Sequence, residues 1–142
     1  TFSNPATNFD RRGTAVTENE REKRVKKWKS TIKKHCTIVG TYKSTFDPGI
    51  ATLAEVLTQR DATYEEFLDA GAQPVLEYTN KAGATNLSKN PLLVLWDELN
   101  KSALSFWRDL GLTPAGRRKI DETAMKQQKR NALAEVLNSL DP

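Results

Sequence analysis

Apolar side chains recur every three or four residues in the first patterned segment of the chain, which is the spacing of one face of an α-helix. The series is Val25, Trp28, Ile32, Cys36 and Val39. Thr17, followed three residues later by Glu20, has the pattern of a capping box and predicts where this helix begins. The 16 residues before Thr17 show no apolar periodicity, so residues 1–16 are predicted to be a disordered lead-in.

A second helix is predicted to begin at Asp47-Pro48, with Asp47 as its cap and Pro48 at the first helical position, and to end near Gly71. Its apolar stripe consists of Ile50, Leu53, Leu57, Tyr64 and Leu68. Asp61 falls on this stripe, and two interpretations are open. It caps a break in the helix near Ala62, which we favour, or it pairs with a cation inside the fold.

The chain changes character between residues 74 and 90. Residues 75–79 alternate in polarity, residues 80–83 have the chemistry of a turn, and residues 84–87 can return as a second strand. This pattern predicts a short β-hairpin, which is marginally stable unless it packs on helices.

Asn90-Pro91 predicts the start of a third helix, which should run to Leu110 and stop at Gly111. The stripe expected to face the core comprises Leu92, Leu95, Trp96, Leu99, Ala103, Phe106, Trp107 and Leu110. Leu93 and Leu104 lie just outside this stripe. Either they widen the core face or they contact another subunit.

Thr113-Pro114 predicts the start of a fourth helix, whose first turns carry Arg117, Arg118 and Lys119. A second apolar stripe follows, formed by Met125, Leu133, Val136, Leu137 and Leu140. A polar stretch, residues 126–131, separates most of it from the rest of the fold. The stripe is therefore expected to dock on a partner, or alternatively to fold back onto its own domain.

Together these patterns predict a mainly α-helical, oligomer-forming protein of about four helices and one short β-hairpin. Its expected organisation is the lead-in at 1–16, a helical core domain with a basic first helix at 17–120, and a C-terminal amphipathic helix or tail at 121–142.

Charge is distributed unevenly along the chain. Residues 1–46 carry 11 Lys/Arg against 4 Asp/Glu, whereas residues 47–112 carry 5 against 10. A basic N-terminal segment followed by an acidic central segment suggests that the basic segment binds a polyanion. The alternative is that its charges only interact with solvent. The cations that we expect to contact DNA lie on the first helix and at the start of the fourth: Lys23, Arg24, Lys26, Lys27, Lys33, Lys34, Arg117, Arg118 and Lys119. Lysine favours backbone contact, whereas Arg117 and Arg118 are better suited to base edges if their helix enters a groove.

The residues that most enzymes need are scarce. His35 and Cys36 are each the only residue of their type, and neighbours on a helix point about 100° apart, so a catalytic dyad or a zinc site is not expected. The sequence has no phosphate-binding glycine motif. A magnesium site made only of carboxylates leaves little local pattern and stays open. We expect a non-enzymatic protein without a cofactor. No signal peptide is recognised, no apolar run approaches the roughly 18 residues of a membrane span, and a single cysteine suits a reducing compartment.

The segment between Tyr42 and Ile120 resembles the small-terminase-subunit family of tailed bacteriophages and prophages. The resemblance covers about 80 of the 142 residues. Its most specific parts are the Asn90-Pro91 helix opening and the sequence Leu-Gly-Leu-Thr-Pro at 110–114, followed by arginine. The other parts that carry it are 46–50, 53–54, 59–61, 77–86 and 107–109.

The resemblance implies a protein that recognises double-stranded viral DNA at its packaging start in the host bacterial cytoplasm. It further implies a homo-oligomer, typically a ring, that hands the DNA to the large terminase subunit, which carries the ATPase and the nuclease. Many small subunits have an obvious N-terminal helix-turn-helix, whereas the first basic helix here leads into a loop and a long acidic helix. The proposed DNA contacts therefore rest on charge. The alternatives are a helical DNA-binding transcription regulator and an assembly adaptor that does not bind DNA.

Overall fold

The computed structural model describes residues 18–140 of the chain. Its elements are, in order, α1 (Glu18–Ile38), a 3₁₀ turn (Ser44–Phe46), α2 (Asp47–Asp69), β1 (Val75–Thr79), β2 (Thr85–Lys89), α3 (Pro91–Asp109) and α4 (Pro114–Ser139). The prediction of a mainly α-helical fold with about four helices and one hairpin is confirmed. The lead-in at 1–16 and the cap at Thr17 lie outside the described residues.

The core lies between α1 and α2, which run antiparallel. Lys33, near the end of α1, pairs with Asp47 at the start of α2, while Arg24 pairs with Glu65 near the end of α2. Between these pairs each helix buries part of its predicted stripe, together with Ala54, which was not predicted; Trp28 is only half-buried. Side chains with no exposed surface are Ile32, Cys36, Ile50, Leu53, Ala54 and Leu57.

Helix α2 corrects two sequence-based predictions. It continues without a break past Asp61, whose carboxylate instead accepts hydrogen bonds from Trp28 and Arg60, so the favoured break near Ala62 was wrong. Asp47 is the first residue of the helix rather than its cap; Phe46 holds the cap position without a side-chain hydrogen bond. The Asp47 carboxylate is directed instead to Lys33 and Tyr42.

In the last turns of α2 the buried side of the helix differs from the predicted stripe. Phe67 is buried, whereas Tyr64 is 39% and Leu68 50% exposed. The Tyr64 ring lies 5.9 Å from that of Phe67 and 5.2 Å from that of Trp96 in α3. The end of α2 therefore packs through aromatic rings toward the start of α3.

The hairpin pairs β1 and β2 antiparallel, with Val75 opposite Lys89 and Thr79 opposite Thr85. Asn80 shapes the turn, because its side-chain oxygen accepts hydrogen bonds from the amides of residues 82 and 84, both at 3.0 Å. Asn90 connects the hairpin to α3. Its side-chain oxygen caps the helix at the Leu92 amide and its amide group donates to the carbonyl of Gln73.

The predicted stripe of α3 is covered only in part. Ala103 alone of its residues is fully buried, and Leu95 is 37% exposed. The stripe packs mainly against α2, so most of its large side chains stay half-buried.

Helix α4 leaves the body at a tight corner with the end of α3. Thr113 caps it as predicted, accepting a hydrogen bond from the Gly116 amide at 3.1 Å. A Cβ on Gly116 would overlap the Arg108 carbonyl oxygen and lie 2.8 Å from its carbonyl carbon. Beyond this corner every described residue from Arg117 to Leu140 is exposed. The 26-residue helix is about 39 Å long, so most of it projects from the body.

Candidate nucleic-acid interface

Four lysines on the outward side of α1 form a basic surface, which we call the lysine face: Lys23, Lys26, Lys27 and Lys34. All four are exposed, and within residues 18–140 none of them takes part in an ion pair. Lys23, Lys27 and Lys34 are spaced by four and seven residues, which places them in one line opposite the buried side chains. The line extends about 16 Å, the length of duplex DNA that carries about ten phosphate charges.

The other two predicted contacts on α1, Arg24 and Lys33, form ion pairs with carboxylates of α2. Arg24 donates two hydrogen bonds to Glu65, at 3.0 and 2.8 Å. Lys33 donates to Asp47 at 3.0 Å, and its ammonium group lies 5.6 Å from the centre of the Tyr42 ring. Either side chain would have to leave its partner in order to reach a phosphate.

The Lys33–Asp47 pair keeps both groups ionised. The hydrogen bond from Lys33 holds the pKa of Asp47 below its usual range, and the same bond raises the pKa of Lys33. The pair therefore fixes the corner between α1 and α2 and contributes little net charge to a ligand.

The basic residues at the start of α4 also differ in whether they have partners within the described fold. The Arg117 guanidinium donates to the Val39 carbonyl at the end of α1 and lies 3.3 Å from the Asp121 carboxylate. Arg118 and Lys119 are exposed and have no ion pair in the described part of the chain. Arg117 thus joins α4 to α1, and the two basic helices meet at one corner of the molecule.

Asp61 pairs with Arg60, as the less favoured interpretation of the sequence expected, but the members of the cluster around it were not predicted. Trp28 donates its indole N–H to Asp61 at 3.0 Å, Arg60 donates to the same carboxylate at 2.7 and 3.0 Å, and the Arg60 guanidinium lies 5.6 Å from the Trp28 ring centre. The only sequence pattern that pointed to it was an aspartate on an apolar stripe. Since Trp28 is half-buried and covered by Arg60, it is poorly placed to stack on a base.

His35 and Cys36 differ in surroundings, as their adjacent helical positions predicted. His35 is exposed, whereas Cys36 is fully buried, and burial raises the pKa of its thiol. Within residues 18–140 no group of three or more His, Cys, Asp or Glu side chains is arranged to hold a metal ion. None of the described helices combines the length and the apolar character that crossing a bilayer requires.

The apolar side chains that we expected to contact other chains differ in exposure. Leu93 is half-buried, whereas Leu104 is 61% exposed. The C-terminal stripe, Leu133, Val136, Leu137 and Leu140, is between 55% and 72% exposed and lies in the part of α4 that projects from the body.

A comparison with models of known protein families identifies the family to which this chain belongs. The model of the family described as phage terminase, small subunit, matches residues 25–127. The chain belongs to the phage terminase small-subunit family. Neither the comparison with curated proteins nor the comparison with solved structures gives a significant match.

Membership gives this small terminase subunit a general role in phage DNA packaging, alongside DNA and a large terminase subunit. Small subunits of the family are generally non-catalytic. The matched segment includes Lys26, Lys27 and Lys34 of the lysine face and the first half of α4, but ends before the C-terminal stripe.

Proposed function

We propose that this small terminase subunit binds double-stranded viral DNA through the lysine face and delivers it to the large terminase subunit in the host bacterial cytoplasm. It does so as a homo-oligomer, without a cofactor and without catalysing a reaction itself.

The observation that carries this proposal is that seven of the eight cations of α1 fall into two groups; the eighth, Lys29, is half-buried and belongs to neither. Arg21, Arg24 and Lys33 pair with carboxylates of α2 and hold the helices together. The lysine face has no such partners in the described fold, and its four ammonium groups can each approach a phosphate and release condensed counterions. Lysine is a flexible point charge, so this surface suits backbone contact without base selection.

Replacing Lys23, Lys27 and Lys34 by alanine is expected to weaken binding to duplex DNA of any sequence. Each lost phosphate contact should reduce the slope of log K against log[salt] by about 0.9, or about 2.7 for the three. Fluorescence anisotropy of a labelled 40-base-pair duplex, titrated at several salt concentrations, measures both effects. The substitutions are at exposed helix positions and favour helix formation, so the fold is retained.

The matched control removes the same charge elsewhere, by changing Lys81, Lys89 and Lys101 to alanine. All three are exposed and lie on the hairpin or on α3. Equal loss of affinity in both triple variants would show that only net charge matters and would contradict a lysine-face site. A wild-type protein that binds no duplex even at low salt would instead support the adaptor function.

Leu104 is the proposed contact between copies of the chain on α3, because it is 61% exposed and lies just outside the stripe that packs against α2. Leu104→Lys is expected to stay folded and to sediment as a smaller species than the wild type. Leu87→Lys, at a hairpin leucine that is 72% exposed, is the control and should leave the assembly intact. A Leu104→Lys protein that keeps the wild-type mass would place the interface elsewhere, and a wild-type monomer or dimer would favour a transcription regulator.

The C-terminal stripe is the proposed docking element for the large terminase subunit. Because Leu133, Val136, Leu137 and Leu140 are all more than half exposed, deleting residues 131–142 should leave the melting temperature unchanged and abolish binding to the large subunit. Calorimetry and a pull-down with the large subunit measure the two effects. Each kcal/mol of lost stability corresponds to roughly 4 °C or less in a domain above 100 residues, so a fall of several degrees would mean that the stripe packs on its own domain.

A further inference from the structure

The projecting part of α4 carries a line of cations that neither the fold nor the lysine face accounts for. Lys119, Lys126 and Arg130, with Thr123 between them, are spaced by four, three and four residues and therefore follow one side of the helix. We call this line the α4 stripe. All four side chains are exposed, and the three cations have no ion pair within residues 18–140.

The chemistry of this segment fits a polyanion better than an apolar groove. Residues 117–131 contain six Lys/Arg and two Asp/Glu, and Met125 is the only large apolar side chain between residues 121 and 131. A helix with a polar circumference gains little from burial against another protein. Duplex DNA can cover such a helix without requiring an apolar face, because phosphates and base edges are polar.

The dimensions of α4 also match those of duplex DNA. A helix with its side chains is about 10–12 Å across, and the major groove of B-DNA is about 12 Å wide. Between Ile120 and the C-terminal stripe the helix has 12 exposed residues, 121–132, which extend about 18 Å. Nothing in the described fold would prevent this length from entering the groove.

Two amide side chains beside the α4 stripe form a hydrogen bond with each other. Gln127 donates its side-chain N–H to the Asn131 side-chain oxygen at 3.0 Å. This bond leaves the Gln127 oxygen as an acceptor and the Asn131 amide group as a donor, next to each other on one turn. Adenine presents one donor, N6–H, and one acceptor, N7, in the major groove, and the neighbouring Arg130 has the fork that guanine O6 and N7 require.

We propose that α4 is a second DNA-binding element, which enters the major groove and selects sequence through Gln127, Arg130 and Asn131 while Lys119 and Lys126 hold phosphates. The proposal rests on the DNA binding proposed above and assigns a different role to each of the two helices. The lysine face of α1 contributes affinity for any duplex, and α4 contributes the preference for particular sequences.

The phosphate contacts are tested by changing Lys119 and Lys126 to alanine and measuring binding to a 40-base-pair duplex of mixed sequence. The salt slope should fall by about 1.8. The control changes Lys81 and Lys89, two exposed lysines of the hairpin, and should leave the slope near that of the wild type. A glutamine version of the Lys119/Lys126 variant, checked for helix content by circular dichroism, guards against a folding effect. An α4 variant whose slope equals that of the hairpin control would overturn the proposal while leaving the lysine face intact.

Base recognition is tested by selection from a library of random 20-base-pair duplexes. The wild type should enrich a sequence containing adenine and guanine steps, and Gln127→Ala/Asn131→Ala should lose at least tenfold of that enrichment with no change in the salt slope. Gln128→Ala is the control, because Gln128 lies on the opposite side of the helix from the α4 stripe. Unchanged enrichment in the double variant would overturn the assignment of base recognition to α4. A wild type that binds no duplex would overturn the proposed function as well.

Discussion

Gly116→Ala is expected to lower the free energy of unfolding by about 1–3 kcal/mol, the usual cost of forcing an extra carbon into a packed site. The new Cβ would overlap the Arg108 carbonyl oxygen, a backbone atom that cannot swing aside as a side chain can. Helix α4 would have to move away from the end of α3, and the contact between Arg117 and Val39 would be lost with it. Urea denaturation of the full chain measures the loss.

Gly49→Ala provides the matched control. Gly49 also lies in the first turn of a helix, but a Cβ built there meets nothing within 4 Å. The same substitution should therefore raise stability by roughly 0.5–1 kcal/mol, since alanine is the better helix former. A Gly116→Ala variant at least as stable as the wild type would contradict the close approach of α4 to α3.

Ile32→Ala is expected to destabilise the protein by about 2–5 kcal/mol, because it removes a buried side chain and leaves a cavity. Ile32 has no exposed surface and packs with Cys36, Leu53 and Leu57 in the core between α1 and α2. Thermal or urea unfolding followed by circular dichroism measures the change.

Ile38→Ala is the control on the same helix. Ile38 is 71% exposed, so its replacement removes little contact and should change stability by less than about 0.5 kcal/mol. A small effect at Ile32, comparable with that at Ile38, would contradict the assignment of the core to the face defined by Val25, Ile32 and Cys36.

The parts of the fold that were predictable from the sequence are those determined within a few residues. Asn90 and Thr113 cap their helices with the hydrogen bonds that their positions before proline predicted. The hairpin turn likewise follows from Asn80 and Gly83 alone. Periodicity also identified the buried face of α1, because one dominant apolar line leaves a single side to bury.

The features of the fold that were not predictable from the sequence depend on contacts between different helices. Asp61 looks like a helix break in the sequence, since an unpaired aspartate on an apolar stripe is costly. The structure shows that Trp28 of α1 donates a hydrogen bond to the Asp61 carboxylate, so the helix does not need to break there. The packing of α2 also makes Arg24 differ from its neighbour Lys23. Glu65, which lies 41 residues further along the chain from Arg24, pairs with Arg24 and not with Lys23.

The candidate site was anticipated in composition but not in detail. Counting charges located the basic helix, yet it could not distinguish the lysine face from the cations that pair across α1 and α2. On α4 the polar stretch at 126–131 looked like a separator between core and tail. Its cations align with Lys119 only once the helix is known to continue unbroken from Pro114 to Ser139.

The salt dependence of wild-type binding to duplex DNA tests the central claim most directly. Four lysines that each release a condensed counterion predict a log–log slope of about −3.6 or steeper per bound chain, on duplexes of any sequence. A slope near zero, or no binding at low salt, would contradict the claim that the lysine face is a DNA-binding surface.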